Sequence, residues 1–174
     1  MRMAMTTCAL ALIGTTAANA AELPTRKAGL WEINMSFSNR AGQNVQQCID
    51  ASTDAMLQSS AGPFAQAACS KRDIQRTGDG FVMDSTCTVA GKTATAHSVI
   101  SGSFDSAYTM TVTSQSDALP NYNLTMTLTG KWLGPCTANQ KPGDVIMPGG
   151  IKVNIRDLQK FGLGGGTQLP SPPR

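Results

Sequence analysis

Leu30-Trp31-Glu32-Ile33-Asn34-Met35-Ser36-Phe37-Ser38 alternates apolar and polar side chains over residues 30–38. Trp31, Ile33, Met35 and Phe37 share one parity, and Glu32, Asn34, Ser36 and Ser38 take the other. Successive Cβ atoms of a strand point to opposite faces of its sheet, so this period of two describes a strand with one buried face.

The same period recurs outward from this stretch. Arg40-Ala41-Gly42-Gln43-Asn44 carries turn chemistry, and Val45 to Cys48 reads as the return strand of a hairpin. Residues 50–60 change character: Asp50 or Ser52 can cap a helix by accepting backbone N–H bonds, Ala55, Met56 and Leu57 favour it, and Gly62-Pro63 ends it. Strands over 70–76 and 81–89 flank Thr77-Gly78-Asp79-Gly80, whose glycines suit a tight hairpin turn. In the second of them Phe81, Met83, Cys87 and Val89 oppose Asp84, Thr86 and Thr88. After Ala90-Gly91-Lys92, residues 93–104 form a long strand. Asp105-Ser106 turns the chain into 107–114, where Tyr108, Met110 and Val112 face inward. Pro120 breaks the ladder within 118–122 because proline has no N–H to donate. Leu124, Met126, Leu128 and Trp132 then share a face against Thr125, Thr127, Thr129 and Lys131. Beyond Cys136 the pattern decays, and residues 140–144 and 147–150 are loop chemistry. Ile151, Ile155 and Leu158 stand at helical spacing in 151–161, and 162–174, rich in Gly and Pro, lacks the apolar content to order itself.

These segments predict a mainly all-β chain: an antiparallel meander of about seven strands curling into a partial barrel, with one or two short helices. A two-sheet sandwich is the second arrangement that hides one apolar face per strand. The domain is expected to span residues 21–161.

The start of the chain sets the expected compartment. Arg2 gives a positive start, residues 3–13 are mostly apolar, and Ala18-Asn19-Ala20 has the small residues of a signal-peptidase site, so residues 1–20 read as a signal peptide and the mature chain as starting at Ala21. Cys8 lies inside that apolar core, which argues against a lipid anchor. A periplasmic or secreted location follows. Four of the five cysteines then remain, Cys48, Cys69, Cys87 and Cys136, and an even count in an exported chain reads as two disulfides. A four-thiolate zinc site would need closely spaced pairs, and the gaps here are long. A hairpin centred on Gly78 brings Cys69 opposite Cys87, leaving Cys48 for Cys136. The register that seats Ile74 beside Met83 puts Cys69 on the wrong parity, so this pairing requires a bulge near Cys69.

Charge excludes some partners. Loss of Arg2 with the signal leaves thirteen basic against eleven acidic residues, a net of +2, with no basic run to hold nucleic acid. No second apolar stretch is long enough to cross a bilayer.

Gly29-Leu30-Trp31-Glu32-Ile33, Cys69, Cys87 in the return strand, and Lys131-Trp132-Leu133-Gly134-Pro135-Cys136 together resemble the exported bacterial domain of unknown function 3617 family over roughly residues 28–140. The resemblance implies an exported, strand-dominated domain and carries no catalytic or binding residues with it.

Catalytic chemistry has few carriers. His97 is the single histidine, on a strand where Thr93, Thr95 and Val99 share its parity, and no nucleophile elbow accompanies it. Glu32 lacks a second carboxylate at motif spacing and reads as an outward strand residue. No catalytic residue, cofactor or metal is expected. Met35, Met83, Met110 and Met126 could hold copper(I) through thioethers, but their inward strand positions fit flexible core filling, leaving Met147 as the one candidate off that face. Thr109, Thr111, Thr113, Thr125, Thr127 and Thr129 suit the solvent face of strands. Three functions stay open: a binding module whose interior, lined by Trp31, Phe37, Phe81, Tyr108, Met110, Met126 and Trp132, encloses a small apolar ligand; a filled structural or interaction protein of the envelope that meets a protein partner; and a hydrolase using Glu32 or His97.

Overall fold

The computed structural model describes residues 22–38, 40–60, 68–89, 91–117 and 123–160. The segment 1–20 expected as a signal peptide, Gly62-Pro63, Pro120 and the expected tail over 162–174 lie outside the described residues.

Seven long strands carry the fold: β1 (Gly29–Phe37), β2 (Arg40–Ile49), β3 (Ala68–Thr77), β4 (Gly80–Val89), β5 (Lys92–Ser103), β6 (Ala107–Ser116) and β7 (Asn123–Gly134). Two short strands, β8 (Asp144–Ile146) and β9 (Lys152–Asn154), follow them, with helix α1 (Ala51–Ser60) after β2 and α2 (Ile155–Lys160) after β9. All nine strands form one sheet in the order β3-β4-β5-β6-β7-β1-β2-β8-β9, antiparallel at every contact. The two ends of the order do not pair, so the curled sheet stays open and is not a closed barrel. The meander is local from β3 to β7, and the β1–β2 hairpin adds to it through β7.

Three segments differ from the sequence reading. Residues 40–44, expected as a turn, belong to β2, because the hairpin closes tightly with Phe37 opposite Arg40. Val145, between the two expected loop stretches, pairs with Val153, expected as helix, in a short ribbon that lets Val145 join the core. The terminal helix therefore starts only at Ile155.

The parity of each strand holds across the sheet. Trp31, Ile33, Met35 and Phe37 face the same way as Val45 and Ile49 of β2 and as Met126, Leu128 and Trp132 of β7. The register continues this inner face through Met110, Ile100, Phe81 and Met83. Trp31, Ile33, Val45, Ile49, Leu57, Phe81, Ile100, Tyr108 and Val145 form its buried cluster. Helix α1 packs on this face through Leu57. It begins where Asp50 Oδ1 accepts the Thr53 N–H at 2.8 Å and the Thr53 hydroxyl at 2.8 Å. That is an N-cap, satisfying a donor the helix itself cannot use. At the β4–β5 turn, Gly91 takes φ +75°, a conformation that side-chain-bearing residues avoid.

Two disulfides brace the sheet: Cys48–Cys136, 88 residues apart, and Cys69–Cys87, 18 apart. Cys69 and Cys87 are direct cross-strand partners, and the register shift between Cys69 and Lys71 supplies the bulge that brings them onto one face.

Candidate functional site

The inner face divides into a sealed end and an open half. At the sealed end, residues 22–28 run across the face and fix themselves to it by hydrogen bonds. The Lys27 N–H donates to the Phe104 carbonyl at 2.9 Å, Trp31 Nε1–H to the Lys27 carbonyl at 2.8 Å, and Trp132 Nε1–H to the Ala28 carbonyl at 3.1 Å. The Lys27 ammonium lies 3.8 Å from the centre of the Trp132 ring, a cation–π contact.

Arg26 is the anchor of that segment. Its backbone N–H and its Nε each donate to the carboxylate of Asp54 at 2.7 Å, and Gln58 donates to the same carboxylate at 2.8 Å. Asp54 is fully buried and Arg26 nearly so. The remaining guanidinium edge reaches Gln47 at 3.0 Å and the Tyr108 hydroxyl at 3.5 Å, and no buried polar side-chain atom among the described residues is left without a partner. Burial pushes the Tyr108 phenol above its ordinary range, against the opposing pull of Arg26. The Tyr108 ring crosses β7 at Gly130, where a Cβ would clash with the ring carbons. This passage lets Tyr108 meet Trp31 at 5.8 Å between ring centres and stack on Phe104 at 5.0 Å. Sequence reasoning missed the Arg26–Asp54 pair. Two charges 28 residues apart carry no pattern that links them.

Of the seven residues expected to line a ligand site, Trp31, Phe81 and Tyr108 are buried in this filled aromatic end. Phe37, Met110, Met126 and Trp132 are only half-buried, and the first three belong to the open half, with Met35, Met83, Leu124 and Leu128. Their register forms two rows running across the strands: Phe81–Ile100–Met110–Leu128–Met35 and Met83–Ser98–Val112–Met126–Phe37. Four methionines thus stand together on one face, and Met147 packs against the core from its own loop.

The outer face holds the polar candidates, apart from one another. His97 Nδ1 lies 2.8 Å from Asp84 Oδ1, with both side chains substantially exposed at 54 % and 43 %. Thr113 is the next residue in that row. Glu32 sits opposite Lys131 on β1, six residues further along β7 than the His97 row, or about 20 Å at the rise of a strand. Glu32, Asn34, Thr109, Thr129 and Lys131 line a shallow groove of about 370 Å³ over Gly102 and Gly130, and His97 is not part of it. The threonines pair across β6 and β7 as Thr109 with Thr129, Thr111 with Thr127 and Thr113 with Thr125. Among the described residues no group of His, Cys, Asp and Glu is placed to hold a metal ion, and no helix is long and apolar enough to cross a membrane.

Asp144, at the start of β8, is a further buried carboxylate. Burial alone would raise its pKa, but Asn154 donating at 2.7 Å, the Lys141 N–H at 3.1 Å and the Lys152 ammonium outweigh that and hold it below the ordinary carboxylate value. These bonds tie the loop after Cys136 to β9.

A single open antiparallel sheet, stapled by two disulfides and carrying an apolar face that is only partly filled, defines a disulfide-braced all-β domain. No curated protein and no solved structure matches the chain. The chain belongs to the family described as a protein of unknown function (DUF3617), which matches residues 26–136, more than half of its length. That span begins at Arg26 and ends at Cys136, and so takes in the buried ion pair and both bridges.

Proposed function

We propose that the chain is an exported, non-catalytic binding module that holds a small apolar ligand on the open half of its inner face. Export is supported by Ala18-Asn19-Ala20 after an apolar stretch and by two disulfides, which persist in oxidising compartments. The observation that carries the binding reading is the division of the inner face. One end is closed by aromatic packing and a hydrogen-bonded ion pair, while Met35, Met83, Met110 and Met126 beside it stay half-buried over a floor that includes buried Ser98 and Val112. Methionine is unbranched and polarizable, so such a surface can remould around ligands of differing shape.

A second reading, a filled envelope module that acts through its outer face, draws on the packing of Trp31, Phe81 and Tyr108 into solid core. Native mass spectrometry of the protein recovered from its compartment separates the two. A retained organic mass, lost when Met110 and Met126 are both replaced by glutamine, is expected for the binding module. A bare polypeptide mass, together with no uptake of apolar fluorescent probes, would instead support the filled module.

A further inference from the structure

We propose, building on that binding reading, that the ligand is a long-chain carboxylate whose head is held by Arg72 and Arg76 on β3. Both arginines lie on the inner face. Arg76 is the register partner of Phe81, with its guanidinium carbon 5.1 Å from the centre of that ring, and Arg72 is the partner of Ser85. Ile74 lies between them on the same face, beside Met83.

Three observations give these arginines a meaning for binding. They are exposed, and among the described residues neither takes part in a salt bridge. The carboxylate nearest in sequence, Asp73, has the opposite parity and bonds Gln75 on the outer face, so it does not neutralise them. They also flank the end of the row Met83–Ser98–Val112–Met126–Phe37, which Ile74 heads and in which Ser98 and Val112 are the buried floor, with Arg76 continuing the neighbouring row from Phe81 and Arg72 the row from Ser85 on the other side. From β3 to β1 that row crosses five strand spacings, about 24 Å at roughly 4.8 Å each, the reach of an extended acyl chain of on the order of eighteen carbons. A planar guanidinium presents paired donors that match a carboxylate, and the apolar row accepts the chain behind it.

Inward-facing charges on an edge strand also serve to prevent edge-to-edge association. The test distinguishes the two roles by comparing a fatty acid with the fatty alcohol of equal chain length, for the wild type and for Arg72→Gln/Arg76→Gln. The wild type is expected to bind the acid roughly tenfold or more tightly than the alcohol, a preference that weakens as salt is raised. In the double variant the acid should fall to the affinity of the alcohol, with alcohol binding unchanged. Charge reversal, Arg72→Glu/Arg76→Glu, should transfer the preference to the long-chain amine.

Equal binding of acid and alcohol by the wild type would overturn the carboxylate assignment and leave the apolar site standing. Binding of neither would overturn both readings. A preference for acid that survives in the double variant, with new self-association on size-exclusion chromatography, would assign the arginines to protection of the edge instead.

Discussion

Among the ion pairs of the described residues, Arg26–Asp54 is the one buried on both sides. A fully buried carboxylate that loses its partner keeps its desolvation cost with nothing to offset it. Replacing Arg26 with methionine alone should therefore destabilise the protein by about 3–5 kcal/mol, whereas Arg26→Met combined with Asp54→Leu should cost substantially less. Urea unfolding of the two variants and the wild type checks this, and equal losses in both would show that packing rather than charge dominates the site. This pair was illegible in the sequence, where Arg26 precedes the first strand and Asp54 sits in the short helix, with no spacing that links the two. The inward positions of Trp31, Phe81, Tyr108 and Met110 were legible, because a strand's period of two assigns a face to every residue it contains. Which of those inward residues would be sealed and which left half-open was not, since that depends on where residues 22–28 and α1 settle.

At the scale of elements, the long strands were readable from alternation and the helix from its cap, while β8 and β9, three residues each, were too short to show a period. The cap itself is testable. Asp50 accepts the Thr53 N–H and is held at a pKa of about 2, first by that backbone bond and further by Ser52 and the Arg156 guanidinium at 3.2 Å. Its folded value lies below the ordinary 3.8, so the ionised cap stabilises the fold above about pH 4 and is lost as the pH falls toward 2. Asp50→Ala should cost about 1 kcal/mol near neutrality, in line with other N-caps. The difference between variant and wild type should then shrink steadily between pH 4 and pH 2 in denaturation midpoints. A difference that stays constant over this range would assign the loss to helix propensity rather than to the charge.

For the whole molecule, the two bridges differ in what they restrain. Cys48–Cys136 closes a loop spanning 88 residues and Cys69–Cys87 one spanning 18, so the chain-entropy account gives about 4–5 and about 3 kcal/mol respectively. Replacing Cys48 and Cys136 by alanine should lower the urea midpoint more than replacing Cys69 and Cys87, and the reverse order would show that local bracing of the β3–β4 hairpin matters more than loop length. The all-β, disulfide-braced character was legible from alternation and cysteine count. The strand order was not, because nothing in the sequence says that β1 pairs with β7 across almost a hundred residues. The two bridges are also nested, the short one lying within the span of the long one. Pairing these four thiols in chain order would instead join Cys48 to Cys69 and Cys87 to Cys136, neither of which is a bridge of the folded sheet. From such a start the observed pairing is reached only by thiol–disulfide exchange, the step that an isomerase speeds and an oxidant alone does not.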